Sequence, residues 1–134
     1  METVVAASGR ATLSVVAPDL HHLVWSPRVH IDRGDALSVL AASRRISRGR
    51  PYAILVDMTT TVDLPPRARE VFNGETLVVA AALLGDGPMD EVLAAGACKA
   101  VHPTRYFTSA EQACCWLEER LKERRSMPGD DPIR

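Results

Sequence analysis

At 134 residues the chain has the length of one domain, enough to bury about two-thirds of the surface its unfolded form exposes without a disulfide or metal staple. Sixteen basic against 17 acidic residues leave a net charge of −1, which argues against a strongly basic surface for nucleic acid or another polyanion. No apolar run approaches the roughly 18 residues of a membrane helix, and METVVAASGR lacks a basic region ahead of an apolar core, so neither a span nor a signal peptide is expected.

A weak strand is expected at Thr3 to Ala6. ATLSVV, Ala11 to Val16, alternates polar with apolar residues and is β-branched, which predicts a strand. Pro18 and Asp19 supply turn chemistry, so LHHLVW, Leu20 to Trp25, reads as the antiparallel partner. Pro27 stops that strand. From Asp32 the period changes: Ala36, Leu37, Leu40 and Ala41 fall at helical spacing behind Asp32 as N-cap. Gly49 as the residue past the helix end, followed by Pro51, stops it near Arg48. Arg44, Arg45 and Arg48 load the last turn. They fit cations opposing the negative end of the helix dipole on a solvated face; a nucleic-acid patch is the alternative.

YAILVDM, Tyr52 to Met58, is apolar without alternation, the pattern of a strand covered on both faces. Pro65 and Pro66 fit only the first turn of a helix, where their missing N–H groups had no partner to lose. That helix reaches about Phe72, and Asn73–Gly74 closes it. TLVVAAALL, Thr76 to Leu84, is a second continuous apolar strand. GDGP turns the chain, and Pro88 opens a short helix towards Val101 that Gly96 weakens. TRYF, Thr104 to Phe107, is a short last strand. TSAE, Thr108 to Glu111, reads as a capping box for a helix from Ser109 to about Arg125. Ala110, Ala113, Cys114, Leu117 and Leu121 form its apolar stripe, flanked by Trp116. Residues 1–125 are thus expected as a single domain and 126–134 as a flexible tail.

This order predicts an α/β fold. An N-terminal hairpin joins parallel strands in one mixed sheet with right-handed crossovers, flanked by about four helices. The continuous apolar strands require helices on both faces, or a face buried against a partner chain.

The chemical inventory is sparse. Cys98, Cys114 and Cys115 form no CxxC pair, so a reducing cytoplasm is expected, with Cys98 and Cys114 as buried apolar groups and Cys115 partly exposed. His21, His22, His30 and His102 lack ligand spacing, and adjacent His21 and His22 point to opposite strand faces, so no metal is expected. GDGPMDE lacks the closing Gly-Lys-Ser/Thr of a phosphate loop, and no Gly-x-Ser-x-Gly elbow occurs. Neither a cofactor nor a catalytic residue is therefore expected.

One resemblance emerges from these elements. An apolar strand ending in Asp57, a loop, a helix holding Ala68–Arg69, an apolar strand with a glycine-rich turn, and RYFTSAEQACCWL resemble the STAS-like superfamily, in the sense of the anti-sigma-factor antagonists of sporulation. The similarity spans roughly residues 11 to 124 and is greatest to a divergent, mostly uncharacterised branch of that fold. That branch often ends on an aromatic, a helix cap, a Glu–Ala pair and a Trp–Leu pair. Here these are Phe107, Thr108, Glu111 with Ala113, and Trp116 with Leu117. The resemblance implies a compact regulatory or protein-binding domain rather than an enzyme. Members of the superfamily are switched by phosphorylation of a serine in an Asp-Ser-Ser-Gly motif at the start of the helix after the central strand. Counting from Asp57, that stretch is Pro65, Pro66, Arg67 and Ala68; the motif is absent and no hydroxyl replaces it.

The candidate site is the loop between that strand and helix. Thr59, Thr60 and Thr61 stand ahead of a helix N-terminus with Arg67 and Arg69 behind them, an arrangement for phosphate or another anion. The competing reading has the threonines bonding their own backbone. Asp57 sits where α/β sheets bind ligands, and it is equally placed to cap the loop or pair with an arginine. Arg67 and Arg69 lie at the positive end of their helix and need an acidic partner, in the same chain or on another protein. A docking protein is the preferred expectation, and the apolar strands near the hairpin edge add a homodimer. Two rivals remain open. One is a small apolar-ligand or lipid carrier with a pocket framed by the loops around Asp57, Thr59 and Gly85 to Gly87. The other is an enzyme pairing Asp57 with a histidine.

Overall fold

The structure, a computed structural model, describes residues 3–57, 65–85 and 100–126. Within them lie strands β1 (Thr3–Ala6), β2 (Ala11–Ala17), β3 (Leu20–Trp25), β4 (Tyr52–Asp57), β5 (Val78–Leu84) and β6 (Thr104–Phe107). The helices are α1 (Arg33–Ser47), α2 (Pro66–Asn73) and α3 (Ala110–Ser126). All six strands form one sheet whose spatial order is the chain order. β1, β2 and β3 pair antiparallel; β3 to β6 run parallel. Ile54 lies beside Ala81 and Asp57 beside Leu84, so the two continuous apolar segments are parallel neighbours, as their lack of alternation implied. The helix expected from Pro88 falls outside the described residues, apart from Ala100 and Val101, which are not helical.

Strand alternation sorts the core into two layers. Leu13, Leu23, Trp25, Tyr52 and Ile54 face one side, where α1 and α2 close over them with Val39, Ala42 and Ala68. Leu20, Ala53, Leu55, Ala80 and Ala82 face the other, beneath Ala113, Leu117 and Leu121 of α3. α3 packs over β4, β5 and β6. On that side no described helix covers β1 to β3, and Val5 and Val24 stand 65% and 37% exposed. Thr12 pairs with both, which places the two valines in one row across the sheet.

The helix ends follow local chemistry. Asp32 caps α1 by accepting from the Asp35 N–H at 2.7 Å, and the Asp35 carboxylate accepts from the Asp32 N–H at 3.1 Å. Arg10, from the turn after β1, forms an ion pair with the same Asp35. At the other end the left-handed position belongs to Arg48 (φ 58°) as well as Gly49 (φ 75°), so the expected stop comes one residue early. Pro66 opens α2 behind an extended Pro65, as expected. The α3 cap shifts by one residue from expectation. Ser109 Oγ accepts from the Gln112 N–H at 3.3 Å, and the Ala113 N–H reaches Ser109 O at 3.0 Å. Thr108–Glu111 and Ser109–Gln112 both fit the box in sequence, and the seat of the α3 stripe on the sheet decides between them. The β1–β2 turn was not foreseen: Ala7, Ser8 and Gly9 are all left-handed, and the Ala7 N–H is held by Ser38 Oγ at 3.0 Å.

Candidate functional site

Asp57 ends β4 between Val24 and Leu84, at the C-terminal rim of the parallel strands. Thr59, Thr60 and Thr61 lie outside the described residues. Arg67 is exposed in the first turn of α2, and Arg69 is half-buried two residues on. Ala68 between them is fully buried and seats the helix against α1. Among the described residues neither arginine makes an ion pair, and Arg69 Nε is shielded from solvent without an acceptor. Two cations thus stand at the positive end of a helix dipole with no described carboxylate against them.

His102 is at the opposite end of the sheet. It precedes Thr104, which pairs with Ala81, whereas Asp57 pairs with Leu84. Its Nε2 donates to Phe72 O at 3.1 Å and its Nδ1 lies 3.0 Å from Thr104 Oγ1. Both ring nitrogens are therefore engaged in closing the end of α2 onto β6. An acid–base pair of Asp57 with His102 is not assembled.

A buried polar cluster went unseen in the sequence. Glu75, between α2 and β5, is 2% exposed. Arg44 grips it with two prongs, Nε to Oε2 at 2.9 Å and Nη2 to Oε1 at 2.6 Å, and the Leu77 N–H adds a bond at 3.3 Å. The Arg44 hydrogen bonds hold the carboxyl below its usual range, against the opposing effect of burial. The arginine read as solvated end-capping is thus a crossing link from α1 to the start of β5. Beside it, His21 and Tyr52 are fully buried and stacked. His21 Nδ1 lies 3.3 Å from Ser43 Oγ. Burial pushes the Tyr52 hydroxyl up to about 12 and His21 down to about 4, despite the attraction of Asp19 for an imidazolium. His21 Nε2 and Tyr52 Oη are both buried without a hydrogen-bond partner, although Ser43 lies near the phenol. Glu75, His21 and Tyr52 are sealed from solvent and Arg44 covers them from the surface, so the cluster's chemistry is structural: it fixes α1 to β3, β4 and β5. The signal available in sequence was a lone glutamate directly before an apolar strand, with arginines ending the preceding long helix.

Residues 16–121 match the family described as a domain of unknown function, DUF7793. The chain belongs to this family. The crystal structure of an uncharacterized protein from the DUF3478 family with a SpoIIAA-like fold, from Shewanella loihica PV-4, is similar with a TM-score of 0.59 and 16% identity. The similarity covers 87% of this chain and 98% of that one, and it gives this DUF7793 domain a SpoIIAA-like, hence STAS-like, fold. No curated protein matches the chain. The DUF7793 span opens inside β2 and closes at Leu121, the last buried residue of the α3 stripe. β1 and its left-handed turn precede the span, and the Arg44–Glu75 pair, Asp57, Arg67 and Arg69 all lie within it. No described helix is long and apolar enough to cross a membrane.

Proposed function

We propose that this DUF7793 domain is a non-enzymatic regulatory module of the cytoplasm that binds an acidic segment of a partner protein at the start of α2. The observation that carries the reading is the pair of arginines, Arg67 and Arg69, without a described carboxylate partner at a helix N-terminus fixed by two prolines. A guanidinium offers forked donors that match a carboxylate, and the helix dipole adds to the attraction. Preset φ angles at Pro65 and Pro66 lower the entropy lost when the surface is ordered on binding. The STAS-like fold supports the reading by analogy. At the position of the superfamily's phosphoserine, counted from Asp57, this chain carries Pro65-Pro66-Arg67-Ala68, so recognition here runs through fixed positive charge. Titration of the isotope-labelled chain with a glutamate-rich peptide tests this. Amide shifts centred on residues 65–70, weakened by salt and by the exposed-site variant Arg67→Glu, are expected. Shifts centred elsewhere, or an Arg67→Glu variant that binds equally well, would reject it.

A second reading, self-association, is favoured by the sheet face that no described helix covers. β1, β2 and β3 contain no Asp, Glu, Lys or Arg, and edge strands commonly carry charge to prevent pairing. The row Val5–Thr12–Val24 meets its own copy about a two-fold axis without burying a charge. Sedimentation of the wild-type chain as a dimer, and of Val24→Lys as a folded monomer, is the expected pair of results. A wild-type monomer at high concentration excludes it.

A further inference from the structure

A cleft of about 380 Å³ opens at the end of the sheet away from Arg67, between the start of β5, the 101–103 segment and the last turns of α3. Leu77, Val79, Val101 and Pro103 give it apolar walls, and Arg120 and Arg124 stand on its rim. Val101 is 67% exposed, an apolar side chain left in water beside the cleft. Glu123 also lines it, but its Oε2 is held by Arg120 Nη1 at 3.0 Å. The three rim charges therefore sum to one positive.

Arg120 has an unfilled side. Arg44 shows how this chain uses the edge of a guanidinium formed by Nε and Nη2: both donors bind the Glu75 carboxylate. On Arg120 the same edge holds nothing comparable. Its Nε is closed off from solvent, so the donor left to a ligand is Nη2, which lies 4.0 Å from Glu119 Oε2, beyond hydrogen-bond reach. Glu119 is 68% exposed, so a competing carboxylate displaces it readily. The Trp116 ring, 5.9 Å from the guanidinium carbon, and Glu123 keep Arg120 beside the cleft. A donor of this kind above apolar walls matches an acceptor head on a hydrocarbon body.

We propose that this cleft binds a small amphipathic carboxylate, its head on Nη2 of Arg120 and its hydrocarbon along Leu77, Val79 and Val101. The volume is near the lower end of ligand sites, about 300 to 1,000 Å³, which selects a short chain over a full-length acyl group. His102 lines the cleft with both ring nitrogens already engaged and contributes a wall rather than a donor.

NMR titration of the full chain with hexanoate, against 1-hexanol and acetate, tests the site. Saturable shifts over residues 77–79, 101–103 and 120–124 are expected, with hexanoate binding about tenfold more tightly than either control. Arg120→Gln is expected to lose about tenfold in affinity. Val101→Glu, at an exposed position that leaves the fold intact, is expected to lose as much by repelling the head. Arg67→Glu, at the far end of the domain, leaves hexanoate binding unchanged, so this site and acidic docking succeed or fail separately. The assignment is overturned if hexanoate gives no saturable shift, if hexanol binds as well, or if Arg120→Gln and Val101→Glu keep full affinity.

Discussion

The imidazole of His21 lies flat on the phenol of Tyr52, ring centroids 4.3 Å apart and planes 16° from parallel, with neither ring reaching solvent. Stacking in a dry site holds the imidazole neutral, because an imidazolium there would lose its hydration. The folded pKa, about 4, lies below the ordinary 6.5, so between these values the unfolded chain binds the extra proton. The contribution is therefore complete above pH 6.5 and is lost as pH falls towards 4, by on the order of 3 kcal/mol across the window. Urea unfolding followed across that range checks it. His21→Phe is expected to flatten the decline while keeping the stack; an unchanged pH profile in that variant would exclude His21 as its source.

The Arg44–Glu75 pair responds further down the pH scale. Glu75 is held below its ordinary 4.5, so its stabilisation is intact above that value and fades as pH falls through the lower folded pKa. Removing the cation strands a carboxylate in a site 2% exposed. Arg44→Met is accordingly expected to destabilise the fold at neutral pH. Arg44→Met/Glu75→Gln together recover much of that loss, because no buried charge is left unpaired. A double-mutant cycle by chemical denaturation measures the difference.

Arg48 ends α1 with φ at 58°, a conformation that disfavours a residue with a Cβ. Its side chain is exposed, and the cap bonds come from backbone N–H groups. Arg48→Gly is therefore expected to raise stability by about 0.5 to 1 kcal/mol, read as a higher thermal midpoint, despite the greater freedom glycine gives the unfolded chain. A lower midpoint would show that the arginine side chain matters there.

Leu117 is fully buried in the layer between α3 and the sheet, near Phe107 and Leu55. Leu117→Ala is expected to lose about 3 kcal/mol, whereas Cys115→Ser two positions away, at an exposed site, stays within about 0.5 kcal/mol. Equal effects would mean that α3 does not seat on this stripe.

Several elements were legible because their signals are local. Pro65–Pro66 marked the start of α2, Asp32 the cap of α1, and the runs ending at Asp57 and Leu84 the parallel core. Where two local signals overlapped, as at Thr108 and Ser109, the local rule had no means of choosing. The left-handed turn at Ala7–Ser8 gave no sign, because alanine and serine carry no preference for that backbone. Within the candidate site, Asp57, Arg67 and Arg69 were read from position, and Thr59 to Thr61 lie outside the described residues.

The sequence by itself determined the alternation of elements, the parallel core and the charge balance, because periodicity, proline and caps act within a few residues. Only the tertiary structure decided that Arg44 reaches Glu75 across 31 positions, that His21 stacks on Tyr52, and that α3 packs over β4 to β6 and not over β1 to β3. Such pairings depend on which strand faces which helix. That is set by packing the whole sheet at once, and no local window contains it.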